Sequence, residues 1–120
     1  MIATAESCTG GMVSAALTDI AGSSAVVDRG FVTYSNAAKI DMLGVRPETL
    51  ENNGAVSEAV AREMAEGAIA HSQAELPVSI TGVAGPGGSE HKPEGRVCFG
   101  LARKGRKTFT ETQDFGAHGR

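Results

Sequence analysis

The 120-residue sequence predicts a single α/β domain, layered α/β/α around a mixed, partly parallel sheet that ends in a C-terminal hairpin. Three observations carry this prediction. Strand-like and helix-like segments alternate as far as Thr81, the order that builds parallel βαβ units. Two β-rich segments then flank Lys104-Gly105-Arg106, a turn that suits an antiparallel hairpin. Composition agrees: 41% of residues are hydrophobic but only 4% aromatic, with no Trp, so small aliphatic side chains must fill a closely packed core. One core suffices at this length.

Ile2 to Ala5 reads as a short strand. From Gly10 or Gly11 to Ile20 a helix is expected, with Met12, Ala16 and Ile20 at helical spacing, Val13 and Leu17 beside them, and Gly22 as its stop. Arg29 to Tyr34 is β-branched and aromatic, hence a strand. Ser35 or Asn36 caps a short helix that runs through Lys39 to Leu43 and ends at Gly44. Pro47 starts another turn of helix. Ser57 caps a longer one with Val60, Met64, Ala68 and Ile69 on one face, where Glu58, Glu63 and Glu66 read as the wet face. Val78 to Thr81 is a buried strand, Gly82 to Gly95 a loop, and Arg96 to Arg103 and Lys107 to Phe115 are the hairpin strands.

The net charge of −3 is spread along the chain. Its basic run, Arg103-Lys104-Gly105-Arg106-Lys107, reads as a solvated turn, because a nucleic-acid backbone needs a wider basic face; no nucleic-acid partner is expected. Cys8 and Cys98 are too few for a disulfide framework and lack metal-ligand spacing, which fits a reduced, cytoplasmic protein. No apolar run reaches membrane length, and no signal-peptide pattern opens the chain. The sequence begins within a strand and stops abruptly at Gly119-Arg120, so further helices are expected to flank this span.

Three stretches carry candidate chemistry. In Glu6-Ser7-Cys8-Thr9-Gly10-Gly11, small polar residues fall at a helix N-terminus, where unpaired N–H groups and a positive dipole bind anions or a developing oxyanion. Glycines there let a ligand approach closely, while a plain N-cap explains one hydroxyl but not the whole set. Residues 81 to 95, TGVAGPGGSEHKPEG, follow a buried strand, where open α/β sheets place ligands. The stretch fails the P-loop pattern, with Gly88 in place of Lys, and the dinucleotide pattern, with Glu90 in place of Gly. A phosphate- or carboxylate-cradling loop around Gly82, Gly85, Gly87 and Gly88 and a mobile surface loop both remain open. In Thr33-Tyr34-Ser35-Asn36-Ala37-Ala38-Lys39, the lysine sits in the first helical turn, where the macrodipole opposes its charge. Taken alone it reads as a surface lysine. If buried, it loses its proton more easily and can act as general base to a serine. Cys8 reads as a packing residue, since none of His71, His91 and His118 is tied to it by pattern.

In this order the segments ATAESCTGG, GSSAVVDRGFVTYSNAAKIDMLGV, GAVSEAVAREMAEGA and ITGVAGPGG…KPEGRV closely resemble the C-terminal domain of the CinA family over essentially the whole chain. The resemblance implies one amidohydrolase domain over residues 1–120, a homo-oligomer as family members commonly are, with helices usual to the family lying before and after it. It also implies hydrolysis of the carboxamide of nicotinamide mononucleotide (NMN) to nicotinate mononucleotide and ammonia, in pyridine nucleotide salvage, by a Ser/Lys/Tyr-type mechanism. Carried over, the serine falls on Ser7, the lysine on Lys39 and the tyrosine on Tyr34. A further serine falls on Ser24 and the loop threonine on Thr81. The family's late arginine falls on Arg120, although Phe115-Gly-Ala-His-Gly-Arg120 is one residue longer than the family stretch and lacks its aspartate. With Thr9, Gly10 and Gly11 as oxyanion or anion donors, Asn36 and the glycine loop complete the substrate-binding set. An amide can be opened by nucleophile, base and oxyanion donors, so neither metal nor organic cofactor is expected. The alternative is a non-catalytic nucleotide-binding or regulatory module of a larger protein.

Overall fold

A computed structural model describes residues 1–85, 87–88 and 92–117 of the chain. Its centre is a five-stranded mixed sheet of order β2-β1-β3-β4-β5. Strand β1 (Ile2–Glu6) pairs in parallel with β2 (Val27–Val32) on one side and β3 (Leu76–Gly82) on the other. Strands β4 (Arg96–Leu101) and β5 (Phe109–Asp114) continue the sheet antiparallel, as the expected hairpin. The basic turn between them is exposed, with the Arg106 N–H on the Arg103 carbonyl at 2.9 Å.

Alternation along β1 sorts the helices onto two faces. Ala5 joins Leu43, Val45, Val60, Met64 and Ala68 in the core, under α2 (Asn36–Leu43), α3 (Pro47–Asn53) and α4 (Glu58–Ala70). Thr4 and Glu6 point the other way, toward α1 (Met12–Thr18), which lies over β1 and β2. Ser35 caps α2 by accepting the Ala38 N–H at 3.0 Å, and Ser57 caps α4 by accepting that of Val60 at 3.2 Å. Where α2 ends it passes so close to α4 that a Cβ at Gly67 would overlap the Leu43 carbonyl oxygen.

Four local expectations change. Helix α1 is shorter than its apolar pattern suggests; Met12 and Ile20 are exposed, while Val13, Ser14 and Leu17 are half-buried. Strand β2 begins at Val27 and ends at Val32; just beyond it the Thr33 N–H donates to the Glu6 carbonyl at 2.8 Å, and Tyr34 follows toward the neighbouring strand ends. Strand β3 starts at Leu76 and accommodates Pro77, whose carbonyl accepts the Ala102 N–H at 3.1 Å. The carboxylates of α4 are not a merely solvated face. Glu58 accepts from Thr110 and Thr112 of β5, Glu66 from Thr108, and Glu63 from the Thr49 hydroxyl and the Arg46 N–H. Among the described residues, no helix is long and apolar enough to cross a membrane.

Candidate active site

Parallel pairing points the C-terminal ends of β1, β2 and β3 the same way, and the segments after them converge. This is where open α/β sheets form ligand crevices. Ser7 follows β1 directly, its N–H on the Ile80 carbonyl at 2.9 Å. Thr33 and Tyr34 follow β2, and Thr81 and Gly82 end β3. Between them opens a cleft of about 250 Å³ that Ser7, Tyr34, Asn36, Lys39, Thr81, Gly82 and Gly85 help to line.

Lys39 lies at its floor, 1% exposed. Helical side chains lean toward the N-terminus, so Lys39 in the first turn of α2 reaches back over the end of β2. Its Nζ donates to the carbonyls of Thr33 at 2.9 Å and Tyr34 at 3.2 Å, and lies 2.9 Å from Ser7 Oγ. Burial lowers the Lys39 pKa below its usual 10.5, although the neighbouring Cys8 pulls it the other way. Among the described residues no carboxylate forms an ion pair with it. A neutral amine has two N–H bonds and one lone pair. In the structure Nζ donates to both carbonyls and to Ser7 Oγ, whose hydroxyl in turn donates to the Tyr34 carbonyl at 3.5 Å. Once the amine is neutral, its two N–H bonds can stay on the carbonyls and its lone pair can turn to the serine hydroxyl. Tyr34 contributes its backbone carbonyl to this cluster, while the residue as a whole is 60% exposed.

The helix N-terminus departs from expectation. Glu6, 0% exposed, fills it. Its Oε1 accepts the Thr9 hydroxyl at 2.6 Å and the N–H groups of Gly11 and Val13 at 3.2 and 3.0 Å; its Oε2 accepts the Ser14 N–H at 2.9 Å. Burial alone would raise the carboxyl pKa, but these four donors outweigh it and leave Glu6 below the ordinary carboxylate value. The Gly10 N–H is also taken, by the Ser7 carbonyl at 3.0 Å. Thr9, Gly10 and Gly11 therefore do not line the cleft as anticipated, because the chain supplies its own anion. Ser24 lies outside it too: its 3-10 turn (Ser23–Ala25) precedes β2, at the opposite end of the parallel strands.

In the glycine loop, the Gly87 N–H goes to Glu94 Oε1 at 2.6 Å, and Gly87 and Gly88 lie exposed outside the cleft lining. Arg120 lies outside the described residues. Sequence reasoning missed Glu6, and it missed that Cys8, Ala55, Val56 and Ala84 line the cleft. Thr81 Oγ1 donates to the Ala55 carbonyl at 3.0 Å, which ties β3 to the turn between α3 and α4. Lys92 Nζ donates to the Asn53 and Val56 carbonyls of that same turn at 2.9 and 2.6 Å. Among the described residues no three His, Cys, Asp or Glu side chains group as metal ligands.

Fold and cleft together define a mixed α/β domain with a buried serine–lysine pair, a combination suited to nucleophilic chemistry. The chain belongs to the CinA family: the family's CinA C-terminal domain matches residues 1–120. It is 58% identical over 112 residues to the nicotinamide-nucleotide amidohydrolase PncC of Enterobacter agglomerans, covering 92% of this chain and 68% of that protein. Against PncC of Escherichia coli K12 the identity is 56% over 115 residues, covering 95% and 70%. A CinA-like protein of Chlorobium phaeobacteroides is 56% identical over 121 residues, but this chain spans only 29% of its length. Among solved structures, the competence/damage inducible protein CihA of Agrobacterium tumefaciens superposes with a TM-score of 0.96 at 54% identity, over 100% of this chain and 73% of that one.

Proposed function

We propose that this chain is a nicotinamide-nucleotide amidohydrolase that converts NMN to nicotinate mononucleotide and ammonia. The observation that carries this reading is the contact of 2.9 Å between buried Lys39 Nζ and Ser7 Oγ; the names of the PncC relatives supply the substrate. Ser7 Oγ attacks the carboxamide carbon as its proton passes to Lys39. The tetrahedral adduct collapses with cleavage of the C–N bond, and ammonia leaves with a proton from Lys39, relayed by Tyr34 at the cleft's exposed side. Water then attacks the Ser7 ester while Lys39 takes its proton and returns it to Ser7 Oγ as the C–O bond breaks. The acid departs as its carboxylate, its proton passing to the solvent or the released ammonia. Asn36 orients the carboxamide. Thr81, Gly82 and Gly85 form the wall that faces the nucleotide.

The enzyme is taken to work in the cytoplasm, a compartment suited to Cys8 and Cys98 as unbridged thiols, on a small molecule rather than nucleic acid, and as a homo-oligomer. Ammonia release from NMN tests the reading. The wild-type chain releases it, and Ser7→Ala, folded, does not. Wild-type turnover by Ser7→Ala removes Ser7 from the mechanism. A wild-type chain that binds NMN and releases no ammonia is a nucleotide-binding module instead.

A further inference from the structure

We infer that Glu6 is a positioning residue for the Ser7 nucleophile: its buried carboxylate clamps the turn of residues 7–11 so that the serine hydroxyl stays on Lys39. The inference rests on the proposed amidohydrolase reading for its kinetic consequence, but not for its geometry. Glu6 and Ser7 are consecutive, and the side chains of consecutive strand residues leave opposite faces. The chain must therefore turn sharply after Ser7 to enter α1, through Gly10 and Gly11 at φ of 59° and 111°. Backbone hydrogen bonds hold Ser7 from two directions, its N–H on Ile80 and its carbonyl under the Gly10 N–H. The far side of the turn is held by Glu6, whose two oxygens collect one hydroxyl and three N–H donors spread over Thr9 to Ser14.

A helix cap needs one or two such bonds; four donors converging on one fully buried charge fix the path of the whole turn. An amide side chain cannot replace it. In Glu6→Gln the oxygen can occupy one of the two acceptor positions, and the NH₂ then faces an N–H donor, which forces the turn to shift. A displacement of about 1 Å at a reacting atom can cost roughly a hundredfold in rate.

The test compares wild type, Glu6→Gln and Thr9→Val, the last removing one donor while keeping the charge. In Glu6→Gln, kcat for NMN is expected to fall at least about tenfold with KM within about twofold, and Thr9→Val to fall less at equally constant KM. Amide hydrogen exchange supplies a readout independent of turnover: Ser7, Gly10, Gly11, Val13 and Ser14 exchange faster in Glu6→Gln. A folded Glu6→Gln with wild-type kcat, a KM rise without loss of kcat, or unchanged protection at Ser7 and Gly10 overturns the inference. If Glu6→Gln does not fold, Thr9→Val decides by the same two measurements. A wild-type chain inactive on NMN overturns the substrate reading, and the exchange data then judge the clamp.

Discussion

Replacing Lys39 by Met removes the amine but keeps an unbranched chain of similar length, and it tests both the chemistry and the electrostatics of the cleft floor. Loss of a positioned general base costs about 10²–10⁴-fold in rate, so Lys39→Met is expected to lower kcat by that factor. Lys39→Arg should be no better, because guanidinium stays protonated; wild-type activity in that variant would remove the neutral-amine mechanism. Stability supplies a second readout. Burial lowers the folded-state pKa of Lys39 below 10.5, so between those two values the unfolded chain binds more protons than the folded one. Stability contributed through Lys39 therefore rises with pH across this window, by at most about 1.4 kcal/mol per pH unit. It is flat below the folded pKa and again above 10.5. The assay is urea unfolding of wild type and Lys39→Met in parallel at a series of pH values up to 10.5. The difference, wild type minus variant, should climb as pH rises. A difference that stays level throughout, or falls, would show that the buried amine keeps its charge in the folded state, and the base assignment would go with it.

Other perturbations test the surrounding framework. Lys92→Met removes the ammonium that ties the glycine loop to the turn between α3 and α4; bonds of this charged kind contribute about 1.5–3 kcal/mol, so KM for NMN should rise about tenfold or more with kcat nearly kept, and loss of kcat at constant KM would contradict it. Gly67→Ala forces the end of α2 off α4 and should cost about 1–3 kcal/mol in urea unfolding; an unchanged midpoint would mean that the helices separate freely. Thr4 Oγ1 is a buried side-chain atom with no hydrogen-bond partner among the described residues. Thr4→Val should thus leave the Tm unchanged or raise it by the equivalent of about 1 kcal/mol, and a clear fall would reveal a partner for that hydroxyl.

What was legible in the sequence was local. The helix caps at Ser35 and Ser57, the stop at Gly44 and the hairpin about Gly105 each depend on a few adjacent residues, and the structure has them all. Strand ends were less legible, because they depend on partners far along the chain: β2 starts at Val27 because it pairs with Ile2, and β3 includes Pro77 because Ala3 and Ala102 accommodate it. Lys39 looked like a surface residue since its burial comes from the ends of β1 and β2 closing over α2. Glu58, Glu63 and Glu66 looked solvated for a similar reason, their partners being hydroxyls and N–H groups on other elements. Glu6 carried one usable signal. An acidic residue that shares a strand face with Thr4, just ahead of a helix, can itself fill that helix N-terminus, and the local rule that reserves such a place for a ligand overlooks it.

The end of β1 separates two buried ionisable groups that would otherwise neutralise the chemistry of either one. A carboxylate within a few ångströms of Lys39 would favour the ammonium and raise its pKa, against the proposed base role. Strand alternation prevents this: Glu6 faces α1, where N–H and hydroxyl donors satisfy its charge, and Ser7 faces α2, where carbonyls satisfy the hydrogens of the amine. Burial dominates the shift at Lys39, Cys8 pulls it the other way, and Glu6 contributes nothing to it. Shifting β1 by one residue against its neighbours would exchange the two faces and bring the carboxylate to the amine. The paired registers of β1 with β2 and of β1 with β3, set more than twenty residues away in sequence, therefore keep the carboxylate away from the amine whose pKa burial lowers.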